Sequence, residues 1–217
     1  MTDEKHYSSP DIDVTFNGRR CIHTANCLRG SPAVFNSQRR PWITPDQAPA
    51  DEISAVIHTC PSGALHYQRL DGGPQEQPDA HNSISVQADG PYFVRGRIHI
   101  TNPDGRIDIQ DVRLALCRCG ASRNKPFCDN AHLSNGFSDP GNVAERKSED
   151  IPMDVASSLE ILADTNGPLR LTGIISIYDS SGRLRFRGQR ATLCRCGGSS
   201  SKPFCDGTHR TNGFSTE

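Results

Sequence analysis

GPYFVRGRIHITNPDGRIDIQDVRLALCRCGASRNKPFCDNAHLSNGF runs from Gly90 to Phe137, and GPLRLTGIISIYDSSGRLRFRGQRATLCRCGGSSSKPFCDGTHRTNGF runs from Gly167 to Phe214. The two align without a gap. Gly105 answers Gly182, Cys117 answers Cys194, and the offset is 77 positions throughout. A fixed offset over so long a stretch marks a duplicated structural unit. In the first copy Phe93, Val94, Ile98 and Ile100, then Ile107 and Ile109, predict short strands broken by a turn at Pro103-Asp104-Gly105. In the second, Leu169, Leu171, Ile174, Ile175 and Ile177 precede a turn at Asp179-Ser180-Ser181-Gly182, and Leu184 and Phe186 follow it. A third strand, Val112 to Leu116 and its counterpart Gln189 to Leu193, leads into Cys-Arg-Cys.

All nine cysteines fall into three sets of three. Cys117, Cys119 and Cys128 form one set and Cys194, Cys196 and Cys205 another. Each is followed four residues later by a histidine, His132 or His209. The remaining set is Cys21, Cys27 and Cys60. Cysteines confined to clusters imply a shared purpose, because a thiolate invites oxidation wherever it is exposed. In Cys-x-Cys, alternate side chains of an extended segment put two thiolates on one side. Gly120 or Gly197 then lets the chain bend, and Lys-Pro-Phe brings it back. Asp129 and Asp206 are expected to cap a short helix whose first turn carries the histidine. Three thiolates and one imidazole suit a tetrahedral zinc ion. They equally suit a [2Fe–2S] cluster with two ligands per iron. Spacing alone leaves both open.

Composition narrows the setting. Hydrophobic residues make up 34% of the 217, with 19 Gly and 15 Pro, so small domains stapled by metal are expected. The net charge of −1 gives no field for nucleic acid or an anionic membrane. No apolar run is long enough for a spanning helix. The polar, acidic start MTDEKHYSSPDID has no signal-peptide or transit-peptide character, which predicts a cytoplasmic, reducing setting where metal-binding thiols are favoured over disulfides.

The first seventy residues form a different unit. Ile12, Val14 and Phe16 alternate as a strand, Thr24 to Leu28 starts a helix that Gly30 and Pro32 end, and Asp51 to Thr59 reads as an amphipathic helix. The bacterial cubane run is Cys-x-x-Cys-x-x-Cys with a further Cys-Pro. Here Cys21 and Cys27 flank Thr24 at the middle position, and Cys60 precedes Pro61. This set predicts a [3Fe–4S] cluster, or a [4Fe–4S] cluster with a non-cysteine fourth ligand. His23 is the nearest candidate, although a histidine in a polar loop is more often simply exposed. Trp42 is expected to be a packing residue rather than an electron relay.

CRCGASRNKPFCDNAH and CRCGGSSSKPFCDGTH resemble the CDGSH (NEET) iron–sulfur signature. The resemblance implies [2Fe–2S] clusters held by Cys117, Cys119, Cys128 and His132, and by Cys194, Cys196, Cys205 and His209. It also implies that two motif-bearing units associate about a two-fold axis, here within one chain, so that the protein is a monomer. It places Lys125 and Lys202 near the clusters. Asn130 departs from the motif where Gly207 keeps it, and asparagine tolerates a left-handed backbone better than most residues. CIHTANCLRGSPAVFN, RPWITPD and CPSGALHY resemble the divergent single-cluster ferredoxins over residues 11 to 69.

The expected architecture is α+β. A mono-cluster ferredoxin-like domain (1–70), a linker (71–83), a first CDGSH repeat (84–138), a connector (139–160) and a second repeat (161–217) follow in order. The repeats are mostly β and form an intrachain pseudo-two-fold dimer. The expected role is electron transfer by a non-enzymatic carrier, with redox or cluster-accepting proteins as partners. Imidazole ligation should raise the CDGSH potentials above that of an all-thiolate site. The rival roles are a cluster donor or redox/iron sensor with pH-labile histidine-ligated clusters, and a zinc-stapled interaction module.

Overall fold

The computed structural model describes residues 4–144, 146–151 and 157–216. The chain is mostly β with few helices, and it divides into two compact units that meet in sequence at Gln77 and Pro78. Among the described residues no helix is long and apolar enough to cross a membrane.

The first unit is a three-stranded antiparallel sheet, β1 (Glu4–Ser8), β2 (Ile12–Asn17) and β3 (Leu65–Arg69), with β2 in the middle. Ile12 and Val14 point inward from β2, as the alternation predicts. Two helices, α1 (Asn26–Gly30) and α2 (Ala50–His58), lie between β2 and β3 in sequence. Ile53, Val56 and Ile57 of α2 are buried, the helical spacing that lays one stripe on the core. Asp51 and Glu52 occupy its first turn, where acidic groups favour the helix dipole. Phe35, Val34 and Ile43 complete this core. Trp42 packs edge-on to Phe16 with ring centroids 4.8 Å apart, so it does serve packing.

Among the described residues the second unit has six strands: β4 (Ser83–Val86), β5 (Tyr92–Thr101), β6 (Asp108–Leu116), β7 (Leu159–Ala163), β8 (Leu169–Tyr178) and β9 (Leu184–Leu193). The hairpins β5–β6 and β8–β9 are the predicted alternating segments. The expected third strand of each copy is instead the continuation of the second. In β6 the Asp111 carboxylate accepts the amides of Val112 and Arg113, at 2.6 and 2.9 Å, so the chain passes this polar point without leaving the sheet.

The opening strands β4 and β7 cross between copies. β4 pairs antiparallel with β5 of its own copy and parallel with β8 of the other, while β7 pairs antiparallel with β8 and parallel with β5. The registers correspond. Ile84 lies opposite Ile177, and Ile161 lies opposite Ile100. One core results, shared by Ile84, Val94, Ile98 and Leu114 of the first copy and Leu159, Leu171, Ile175 and Ile177 of the second.

Candidate metal centres

Each Cys-x-Cys segment leaves the end of a long strand and is folded back on it. In the first copy the Cys117 amide donates to Pro126 O at 2.8 Å, and the Cys128 amide to Ala115 O at 2.9 Å. In the second, Cys194 and Pro203 (2.8 Å) and Cys205 and Thr192 (2.9 Å) repeat the pattern. Ser122 and Ser199 brace the return by donating to Phe127 O and Phe204 O, at 2.6 and 2.7 Å.

The loops bring the predicted side chains together in pairs. Cys117 Sγ and Cys119 Sγ are 3.8 Å apart, and Cys128 Sγ lies 3.5 Å from His132 Nδ1. In the second copy the separations are 3.6 Å for Cys194 and Cys196 and 3.4 Å for Cys205 and His209. A tetrahedral metal with bonds of about 2.3 Å to sulfur and about 2.0 Å to nitrogen holds two sulfurs about 3.8 Å apart and a sulfur and a nitrogen about 3.5 Å apart. Each pair therefore fits one metal. Among the described residues no three His, Cys, Asp or Glu side chains gather closely enough to hold a single ion.

The two loops also touch each other. Cys119 and Cys196 form an antiparallel bridge. A Cβ on Gly120 would lie 2.7 Å from Cys196 O, and one on Gly197 would lie 2.6 Å from Cys119 O. Both glycines have positive φ, +84° and +77°. Tyr92, fully buried, donates from its hydroxyl toward Cys194 O (2.9 Å) and Pro203 O (3.1 Å) of the other copy. Its counterpart is Leu169, so only one loop receives a phenol.

In the first unit, Cys21 ends the turn after β2, Cys27 lies in α1, and Cys60 follows α2, its amide donating to Ile57 O at 2.9 Å. Two side chains tie these segments together. Asn26 donates to Thr59 O and Arg20 to Ser62 O, each at 2.8 Å. Burial pushes the Cys21 and Cys27 thiols up, amides of His23 and Leu28 oppose it, and the charge of Cys60 acts on both. The segment between Cys21 and Cys27 is strained. His23 and Ala25 have φ of +53° and +59°. An L residue in that conformation costs about 1–2 kcal/mol, and such residues cluster at functional sites.

Residues 7–70 match the model of a divergent 4Fe-4S mono-cluster domain, and residues 89–133 and 166–210 each match the iron-binding zinc finger of CDGSH type. The uncharacterized protein YjdI of Escherichia coli strain K12 is 48% identical over 62 residues, which cover 29% of this chain and 82% of that relative; YjdI of Escherichia coli O157:H7 matches to the same extent. No solved structure matches the chain significantly. The chain belongs to the CDGSH iron-binding family, with a divergent 4Fe-4S mono-cluster domain ahead of its two repeats.

The CDGSH loops differ in one respect from the sequence expectation. The short helix is a single 3₁₀ turn, Ala131–Leu133 or Thr208–Arg210. Its N-cap positions are Asn130 and Gly207, both left-handed at φ +69° and +92°. Asp129 and Asp206 stand one residue earlier, so they are not the caps the sequence predicts. Asp129 accepts the Ala131 amide at 3.0 Å and the Arg123 amide at 2.8 Å, which clamps the turn to the preceding loop. Burial raises the Asp129 carboxyl, but those amides together with the Ser122 hydroxyl and its own backbone amide hold it below the ordinary range. Asp206 is depressed further, first by the Thr208 hydroxyl and then by the amides of Thr208 and Ser200. Lys202 donates to Ser199 O at 2.6 Å, and Lys125 sits 5.8 Å from the Phe214 ring centre.

Arg118 and Arg195 escaped the sequence reading. Both are almost fully buried inside Cys-Arg-Cys. They donate to Gly90 O and Gly167 O, at 2.8 and 3.0 Å, and so anchor the CDGSH loops to the turns that open each repeat. Arg118 also pairs with Asp139. Burial lowers Arg195 to about 10, against the charges of Cys117 and Asp164. The available signal was the identical arginine in both copies. Cys117 and Cys119 respond oppositely to their shared contact. That hydrogen bond and burial raise Cys117, while the bond draws Cys119 down.

Proposed function

We propose that this chain is an electron carrier with three iron–sulfur centres. Two are [2Fe–2S] clusters in the CDGSH motifs, and the third is a [4Fe–4S] or [3Fe–4S] cluster in the N-terminal unit. Cys117 with Cys119, and Cys128 with His132, hold the two irons of the first; Cys194 with Cys196, and Cys205 with His209, those of the second. Cys21, Cys27 and Cys60 hold the third. When bound, each cluster stores and releases an electron, and imidazole ligation raises the CDGSH potentials above an all-thiolate site.

The single observation that carries this reading is the reciprocal seating of the two ligand loops, Gly120 against Cys196 and Gly197 against Cys119. It favours two sites held side by side by one chain and an intrachain pseudo-two-fold pair, within an α+β chain whose ferredoxin-like unit comes first in sequence. The crossed strands β4 and β7 support a monomer, since each copy already covers the other's sheet edge. Arg118 and Arg195 place buried positive charge beside thiolates. Nine unbridged cysteines suit the reducing cytoplasm.

Iron and sulfide analysis of anaerobically purified protein, followed by EPR-monitored redox titration, tests the reading. Two classes of centre with separate potentials and reversible reduction are expected. Zinc without acid-labile sulfide would refute the cluster assignment. Rapid movement of clusters into an apo-ferredoxin, with slow reduction, would refute the carrier role in favour of cluster donation.

A further inference from the structure

The N-terminal unit matches a 4Fe-4S mono-cluster domain, yet it has only Cys21, Cys27 and Cys60. A [4Fe–4S] cluster takes four ligands, usually all cysteine. We infer that His23 is the fourth. The inference rests on the N-terminal cluster proposed above.

Three observations converge on this residue. First, Cys21, His23 and Cys27 line one cavity of about 440 Å³. Its other wall includes Tyr7, Phe16 and Trp42, an apolar surface of the kind that surrounds metal centres. Second, the exposed His23 ring stands beside one of the thiols, with Nδ1 3.9 Å from Cys21 Sγ. Third, His23 is held at φ +53°, and Ala25 two residues later at +59°. Neither is a glycine, so local preference does not explain the conformation; Arg29, donating to Thr24 O at 2.8 Å and through its amide to Ala25 O at 3.1 Å, holds the loop with the His23 ring beside Cys21.

Elimination among the lining side chains agrees. Lys5 and Arg40 are cations without a free lone pair. Ser37 and Tyr7 offer only a hydroxyl oxygen, a poorer match than an imidazole nitrogen for an iron–sulfur site. A neutral imidazole is a ready ligand near neutrality. His23 therefore completes the donor set within the Cys21–Cys27 loop, at the place where the usual cubane run carries a cysteine one residue later.

The test uses the full chain, purified anaerobically, as wild type, His23→Ala and His23→Cys. Iron per chain, EPR of the oxidised and reduced protein, and electron–nuclear double resonance on histidine-¹⁵N protein are measured. In the wild type the reduced cubane should show one nitrogen coupling, which His23→Ala abolishes. His23→Ala should carry one iron fewer per chain and show a three-iron signal, while the CDGSH signals stay unchanged. His23→Cys should restore the lost iron at a more negative potential, because an anionic ligand replaces a neutral one. A His23→Ala protein that keeps its four-iron cluster, with or without a shift in potential, overturns the assignment and reduces His23 to a hydrogen-bond partner of Cys21. A wild-type three-iron cluster also overturns it but leaves the N-terminal cluster standing. Absence of any sulfide beyond the CDGSH sites overturns both.

Discussion

Substituting Gly120 by alanine should damage both CDGSH sites at once. The backbone there has φ +84°, which costs an L residue about 1–2 kcal/mol. The new Cβ would also fall 2.7 Å from Cys196 O, 2.9 Å from Cys196 C and 3.3 Å from its Cα. All three are backbone atoms of the other copy's ligand loop, so no rotamer change relieves the clash. Overpacking of this kind adds about 1–3 kcal/mol. The total is about 2–5 kcal/mol, a large part of the stability of an ordinary domain. Gly182→Ala is the matched control. Its φ is +79° but nothing lies within 4 Å, so it should lose only the conformational part, about 1–2 kcal/mol. Thermal unfolding of the two holo variants, with cluster absorbance followed in parallel, measures the difference. Each kcal/mol corresponds to about 2–4 °C in a protein of this size, so Gly120→Ala should melt several degrees below Gly182→Ala and release iron from both motifs. Equal melting temperatures, or loss confined to the first site, would show that the loops do not abut as described.

Tyr92→Phe leaves Cys194 O without its phenol donor in a fully buried place and should lower the unfolding free energy by about 1–2 kcal/mol in denaturant titration; an unchanged midpoint would contradict the cross-repeat bond. Asn26→Ala removes the tie between α1 and Thr59 O and should weaken the first unit by about 0.5–1.5 kcal/mol, with faster iron loss there and none at the CDGSH sites; loss at all sites would argue against separate units. His99 lies between Asp108 and Glu160, 2.7 Å from each, and its pKa is raised above 6.5, chiefly by the bond to Asp108 and then by that to Glu160. Both ring nitrogens donate only when the ring is charged. The stabilisation is thus complete below pH 6.5 and fades as pH rises through the higher folded value. Urea titrations at pH 6 and pH 9 should show a drop for wild type that His99→Gln lacks, and parallel behaviour of the two proteins would count against the link.

Much of the site was legible because its chemistry is local. Cysteine and histidine at fixed spacing, a following glycine and a Lys-Pro return are all written within sixteen residues, and the structure draws the motif's four side chains into two pairs. The caps and the continuous β6 and β9 strands were less legible. Whether Asp129 caps a helix or clamps a loop depends on the Arg123 amide, six residues back. Whether Val112 begins a strand or continues one depends on what Asp111 accepts. Arg118 and Arg195 were missed because a lone arginine between cysteines reads as a solvated side chain. Their burial follows from carbonyls nearly thirty residues away.

From the sequence alone came the duplication, the two CDGSH motifs and the odd third set of cysteines. Each is a pattern in residue order, and residue order is all that such a pattern needs. Tertiary structure decided how the copies combine. Strands β4 and β7 carry apolar residues that either copy could bury, and only the packed sheet assigns them to both, with Ile84 on Ile177 and Ile161 on Ile100. It also set Cys119 against Cys196 and left His23 in a left-handed loop beside Cys21. These are contacts between distant segments or conformations that local preference opposes, and neither is encoded in a periodicity or a spacing.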